Sequence, residues 1–414
     1  MQIPQQIQLL LKLIRSDLNS DSEKISKIKS HDWEAIATLS STLDISSYLF
    51  HSLKANNLLG FLPENTRERL YFSYRRTTIA NLMRYLEIKR LAQALGKEGI
   101  SIILLKGSHL AKWVYNNIAI REMLDLDILV PAQKATKAFE VARSLGYEII
   151  QEEGGHLPVL KSISTKMILE IHHSLNGIYD MKFFNEDELW NHRILLDSEF
   201  ENVYGLELEN LLIHLCIHLA YHHFMFGHGL RPFCDILQIT NNPKNSFSWA
   251  KFQKRVIEMG CEPGVALCLK LGKDLLGVKI PEEVEQALGM PNIPEVIYTN
   301  SLKHVLKLEK NLLSCFPALI LLFLGHDSFE GRLKIIKRRF FSKKYISPSN
   351  SPQNLGKKNY WEFLRNRLET FFTTIWDLLG NAGETRKFAR HLISLVRFLH
   401  RGWSKKKKTT LQVN

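Results

Sequence analysis

The 414-residue sequence holds no apolar run long enough to cross a bilayer. Its most apolar stretch, Phe316 to Leu324, falls well short of the about 20 residues a membrane-spanning helix needs. No secretory signal is expected either, because Met1 to Leu11 has no basic start and its apolar run stops at Lys12. Cysteine is scarce: Cys216, Cys234, Cys261, Cys268 and Cys315 form no CxxC pair and no small-domain disulfide framework. They read as reduced thiols, and the expectation is a cytoplasmic protein, at most peripheral to a membrane. There is no GxxxxGK[ST] phosphate loop, no HExxH zinc motif and no internal repeat.

Acidic residues are lacking at one end only. From Ser301 to Asn414 there are 23 Lys and Arg against 7 Asp and Glu, a net of +16, whereas the first three hundred residues carry 32 against 35. The overall +13 is therefore a property of the C-terminal quarter, where an anionic partner would dock. With 45% hydrophobic and 10% aromatic residues, the rest has ample material for a core.

Hydrophobic spacing divides the chain. Helices are predicted over Ile3 to Leu18, from a cap-like Ser30-His31-Asp32-Trp33-Glu34, and from about Asn65 to Leu95. The apolar stripe of the last comprises Leu70, Tyr74, Ile79, Leu82, Tyr85, Ile88 and Leu91. After Gly96 and Gly99 the pattern changes. Ser101 to Leu105 and Asp125 to Val130 read as strands, and Pro131 to Gly146 as a helix with Pro near its start and Gly at its end. Tyr147 to Ile150, Leu157 to Ile163 and Lys166 to His172 follow as strands. Helical spacing resumes from Glu207, and a Pro/Ser/Asn-rich linker covers Ser347 to Lys358. The expected architecture is α+β: a helical region over 1–98, a small mixed-sheet domain over 99–205, a helical domain over 206–345, and a linker with a basic amphipathic region over 346–414.

The chemistry-bearing residues lie in the sheet. Alternation along a strand puts Asp125 and Asp127 on one face and Leu126 and Ile128 on the other. Paired carboxylates repel, so the pattern fits either a solvated strand edge or a bound divalent cation, and relief of repulsion predicts that Asp127→Asn leaves stability unchanged or raised. Glu170 shares a strand face with His172 and is a natural third ligand, or else a carboxylate on a wet face. Lys106-Gly107-Ser108 links the first strand to a helical segment, where free backbone N–H groups beside a hydroxyl would suit a phosphate.

Gly-Ser at a helix start, Asp-x-Asp on the next strand and a later strand acid resemble the nucleotidyltransferase pattern of the DNA-polymerase-β superfamily. Leu105-Lys106-Gly107, Tyr115, Arg121, Asp125 to Val130 and Glu170-Ile171-His172 are similar to a family of uncharacterised bacterial nucleotidyltransferases. So are the lead-in around Trp33 and the helix Leu211 to His222 followed by Arg231 and Asp235. The span from Ser108 to Asp125 is longer than in the most compact members of that superfamily. The resemblance implies Mg²⁺, with Mn²⁺ as an alternative, on catalytic Asp125, Asp127 and Glu170. Lys106, Gly107, Ser108 and Arg121 would bind a nucleoside triphosphate, and the acceptor would be RNA, protein or a small molecule. The contrasting expectation is an inactive adaptor, binding nucleic acid or an anionic membrane through the basic C-terminus.

Two further features bear on function. His214, His218 and His222 recur every four residues, but on one straight helix they span about 12 Å, too far for one ion. Their expected role is a polar stripe facing the sheet domain, with no tightly bound transition metal. From Glu384 to Trp403, Phe388, Leu392, Leu395, Val396, Leu399 and Trp403 fall on one helical side, either to pack on the helical domain or to dock on lipid or RNA with Lys405 to Lys408. Arg231 and Asp235, four apart, are expected to form an ion pair or contact substrate.

Overall fold

The computed structural model describes residues 3–15, 25–151, 157–176, 183–196, 202–225, 227–242, 245–309, 388 and 390–400. Four helices lead in: α1 (Gln5–Ile14), α2 (Ser30–Thr42), α3 (Ser46–Ala55) and the long α4 (Glu64–Lys97). Ser30 is the first residue of α2 and makes no side-chain cap, so the cap-like motif marks the start without supplying the bond.

Strand β1 (Ile102–Leu104) is followed by a single helical turn, α5 (Lys106–His109), which continues as a π-helical turn over Leu110–Val114. Then come β2 (Asp125–Leu129), α6 (Ala135–Ser144), β3 (Tyr147–Gln151), β4 (Val159–Ser162) and β5 (Ile168–His172). Helix α7 (Glu186–Asn191) precedes the short β6 (Ile194–Leu195) and β7 (Val203–Gly205), two strands the apolar pattern does not reveal. The seven-stranded sheet has the order β3-β4-β5-β2-β1-β7-β6, with β2 parallel to β5, β1 parallel to β7 and the other pairs antiparallel. The mixed α/β character expected from sequence is what forms.

Helix α8 (Leu208–Ile217) passes into a second π turn, His218–His222, and is followed by α9 (Arg231–Asn241), α10 (Trp249–Met259), α11 (Glu262–Leu276), α12 (Glu282–Ala287) and α13 (Glu295–Val305). Residues 390–400 form α14. Two cores divide the work. Ile102, Leu104, Leu126, Ile128, Leu169 and Ile171 pack one sheet face against Ile88, Leu91 and Leu95 of α4 and Ala138 and Val141 of α6. Ile103, Leu105 and Leu129 point the other way, into a larger core built from α1 to α3 and from α8 to α14.

Two expectations change here. Along α4, Leu70, Ile88 and Leu91 are buried, but Ile79 and Leu82 are exposed, and the helix buries Thr77, Asn81 and Glu87 in their place. The polar choice is forced by what it faces. Asn81 donates to the carbonyls of Ile118 and Arg121 at 2.6 and 2.7 Å and accepts from the Met123 amide, clamping irregular backbone that has no ladder partner. At the far end, Phe388, Leu392, Leu395, Val396 and Leu399 are buried in the larger core, so the described part of the amphipathic stripe packs inward. Trp403, Lys405 to Lys408 and the Ser347 to Lys358 linker lie outside the described residues. Among the described residues no helix is long and apolar enough to cross a membrane.

Candidate active site

Parallel pairing of β2 with β5 sets the register of the site. Asp127 lies opposite Glu170, Asp125 opposite Ile168 and Leu129 opposite His172, so Asp125, Asp127, Glu170 and His172 share one face. That face looks away from the α4/α6 layer, toward the helical flank that carries α8.

Asp127 is the hub. Its Oδ1 accepts from Lys106 Nζ at 2.9 Å and lies 2.9 Å from His172 Nε2, which is 3.6 Å from Glu170 Oε2. Asp127 is 2% exposed. Burial alone would push its carboxyl up, but Lys106 and His172 outweigh it and hold the group well below the ordinary carboxylate range. Asp125 and Glu170 go the other way: burial, then the charge of Asp127, raises both, and Lys106 only partly offsets this. Lys106 loses to burial and gains from Asp127, Asp125 and Glu170, with a net shift upward. One carboxylate is thus firmly ionised among two that resist ionisation.

Local backbone delivers these groups. The β1–β2 ladder ends with the Leu105 amide on the Asp127 carbonyl, and Lys106 then adopts φ 44°, a left-handed conformation unusual for a residue with a Cβ. Gly107 follows in a tight spot: a Cβ there would lie 3.0 Å from Met123 Cγ and 3.2 Å from Arg121 Nη1, so both side chains would have to give way. Ser108 is buried; its Oγ donates to the Leu105 carbonyl at 2.6 Å and its amide also bonds that carbonyl. Both donors therefore tie the turn rather than point outward.

Arg121 is equally committed. Nε and Nη2 make a two-pronged pair with the carboxylate of Asp235 at 2.9 Å each, Nη1 donates to the Glu122 carbonyl, and Tyr115 donates its hydroxyl proton to Asp235 Oδ1 at 2.7 Å. Asp235 thus pairs with Arg121, not with Arg231 four residues before it. Arg231 instead lines a cleft of about 300 Å³ with Arg76, Arg121, Tyr115 and Leu124, next to Asp125 in sequence. Burial and the nearby Arg121 charge both lower the pKa of Arg231.

A family model described as an uncharacterised nucleotidyltransferase matches residues 29–277, more than half of the chain. The chain belongs to that nucleotidyltransferase family. No curated protein matches, and no solved structure matches. Membership implies transferase chemistry with a nucleoside triphosphate as donor. The match runs from the start of α2 to just past α11, so it takes in the carboxylate face and also the helices packed around it. Nucleotidyltransferases commonly use divalent metals, and Asp127, Glu170 and His172 bring one ligand atom each within 4.8 Å of one another.

Sequence reasoning noticed His172 only as a neighbour of Glu170; its contact with Asp127 follows from the β2–β5 register, which no local pattern encodes. Asn81 and the Arg121–Asp235 pair were missed as supports. The second is 114 residues apart in sequence; Tyr115, Arg121 and Asp235 each figured in the family resemblance, but nothing in the sequence joined them.

Proposed function

We propose that the chain transfers a nucleoside monophosphate from a nucleoside triphosphate to an acceptor hydroxyl at the face formed by Asp125, Asp127 and Glu170, as in the DNA-polymerase-β superfamily, with residues 99–205 as the catalytic unit. One observation carries the reading: three carboxyl groups in register on adjacent strands, two of them pushed up by burial and by the charge of the third. Such crowding is costly, and a divalent cation on those oxygens would relieve it. The donors are hard oxygens, which fits Mg²⁺ or Mn²⁺ held by Asp125, Asp127 and Glu170. When bound, the ions would supply Lewis acidity toward the triphosphate and the acceptor hydroxyl.

The chain's own residues account for the rest. Lys106, paired with Asp127, is positioned to turn its ammonium toward the triphosphate, and Gly107 lets the turn that carries it close against Met123 and Arg121. Ser108 holds the turn, and Arg121, anchored on Asp235, lends positive charge beside Asp125. The arginine-lined cleft offers Arg231 and Arg76 to the phosphate tail. The acceptor oxygen attacks the α-phosphorus, its proton passes to Glu170, whose hold on a proton is strengthened by burial and the charge of Asp127, the bond to the β-phosphate oxygen breaks, and pyrophosphate leaves. An adaptor acting through an amphipathic C-terminal helix loses support, because the described part of that stripe lies in the core.

The test is transfer of label from each α-labelled nucleoside triphosphate, with Mg²⁺ or Mn²⁺ and cell extract as the source of RNA, protein or small-molecule acceptors. Transfer by the wild type and none by Asp127→Asn is the expected result. Equal transfer by a folded Asp127→Asn protein removes this mechanism.

A further inference from the structure

Helix α8 does not present its histidines as a straight stripe. The π turn at His218–His222 widens the helix, and the chain then reverses through Phe224 (φ 49°) and Met225 (φ 67°), both left-handed. Gly229 (φ 54°) packs so close to Leu43 that a Cβ there would meet its carbonyl oxygen at 2.5 Å, which fixes the returning strand of the loop. The result brings His218 of the expected stripe together with two histidines from beyond it. His218 and His223 have ring centroids 4.4 Å apart, His223 and His228 4.2 Å, and His218 and His228 5.9 Å. One ligand atom from each lies within 4.8 Å of the other two, and all three side chains are partly accessible.

One of the spacings already equals a tetrahedral edge. Zinc–imidazole bonds of about 2.0–2.1 Å imply ligand nitrogens about 3.3 Å apart along a tetrahedral edge. The Nε2 atoms of His218 and His223 are separated by 3.3 Å. A plain hydrogen bond between those two rings would explain that distance, but it leaves the third ring unexplained. His228 Nε2 is buried with no hydrogen-bond partner, while its Nδ1 makes only a long 3.5 Å contact with Arg231.

We propose that His218, His223 and His228 form a zinc-type transition-metal site, separate from the carboxylate face. Three neutral imidazoles suit Zn²⁺ and its neighbours in the first transition row rather than Mg²⁺. Burial keeps the rings neutral: it lowers His223 to about 3 and His228 to about 4. With an ion on Nε2, His228 carries its proton on Nδ1, and the long contact with Arg231 gives way. Three protein ligands converge among the described residues, so the fourth position goes to water or to an oxygen of a bound molecule. His214 and His222 stay outside the triad; His218 belongs to both groupings, and the proposal replaces the expectation of no tightly bound transition metal.

The experiment uses the full chain purified without a histidine tag, stripped of metal and titrated with Co²⁺ as a spectroscopic probe, then with Zn²⁺ in competition with a chelator. One equivalent of Co²⁺ with tetrahedral visible absorption is expected. His223→Gln and His228→Gln, each checked for a native circular dichroism spectrum, should weaken Zn²⁺ binding by at least about a hundredfold, beyond the typical effect of losing an outer partner. His222→Gln and Asp127→Asn should keep the ion. Absence of a bound equivalent in the wild type overturns the proposal, as does retention in both His223→Gln and His228→Gln. Loss in Asp127→Asn with retention in His228→Gln would assign the ion to the carboxylate face and equally overturn it. Metal content is read independently of transfer, so the result stands whether or not the carboxylate face is active.

Discussion

Asp125 and Asp127 are the same residue type two positions apart, and the fold makes opposite demands on them. Asp127 is buried and bonded to Lys106 and His172; Asp125 has burial and like charge working against its ionised form. Alternation on a strand was enough to put both on one face, and the sequence argument from repulsion expected the loss of Asp127 to be harmless for stability. The Lys106 contact reverses the sign for Asp127. Asp127→Asn should lower stability by about 1–3 kcal/mol, because a mostly buried ammonium loses its charged partner. Asp125→Asn should leave stability unchanged or raised, and both should abolish transfer. Urea denaturation of the two variants side by side checks this; equal destabilisation would mean that the pairing of Lys106 carries no weight. Gly107→Val, expected from sequence to crowd a phosphate, is expected from structure to push Met123 and Arg121 aside. It should cost about 1–3 kcal/mol even without nucleotide, a loss that calorimetry of the apo protein would measure.

At the scale of elements, what was legible depended on whether a segment's neighbours were apolar. Strands β1, β2 and β5 lie in the middle of the sheet; a near-continuous apolar run announced β1, and alternation of apolar with acidic or histidine residues announced β2 and β5. Strands β6 and β7 run for two and three residues at the sheet's edge, with Ile194 and Leu195 exposed, and left no pattern to find. Helix α4 misled for the converse reason. Its length was plain, but its middle buries Thr77 and Asn81 against hydroxyl and backbone groups, which hydrophobic periodicity cannot register. The histidine triad was hidden because it needs a π turn and a left-handed loop, neither of which has a sequence period. Asn81 gives the element-level test. Asn81→Ala strands the carbonyls of Ile118 and Arg121 and the amide of Met123, so a loss of about 2–4 kcal/mol is expected. Transfer should also fall, because the clamped segment leads straight into Asp125. Thermal melting together with rate measurements decides it, and an Asn81→Ala protein that melts like the wild type would show the clamp to be dispensable.

The whole molecule is a sheet closed on one side by its own helices and on the other by a core that gathers both ends of the described chain. That arrangement has a pH signature. His109 and His304 are lowered by burial from 6.5 to about 4. The unfolded chain therefore takes up protons below about pH 6.5 that the folded chain refuses until about pH 4, so stability is lost as pH falls through that window. For the fully buried His109 the loss is on the order of 3 kcal/mol when complete. Melting temperatures from pH 7 to 4 should fall, and His109→Gln should flatten the slope; an unchanged slope would show that this ring does not govern acid sensitivity. The C-terminal end supplies the stronger test. Its basic, amphipathic character could be read from sequence either as packing or as docking, since charge and periodicity are the same in both. The structure buries Phe388, Leu392, Leu395, Val396, Phe398 and Leu399, and Tyr221 reaches the Leu399 carbonyl from the π turn of α8. At about 1.5–3 kcal/mol for each fully buried side chain, six of them rival the about 5–15 kcal/mol net stability of an ordinary protein. Deleting residues 388–414 should therefore lower the melting temperature sharply or yield insoluble protein. Deleting only the residues after Ser404 should leave nucleotide binding unchanged, because the first three hundred residues, which hold the carboxylate face, are near neutral without that basic end. If the longer deletion melts like the full chain, α14 is an appendage and the amphipathic stripe is available for another partner.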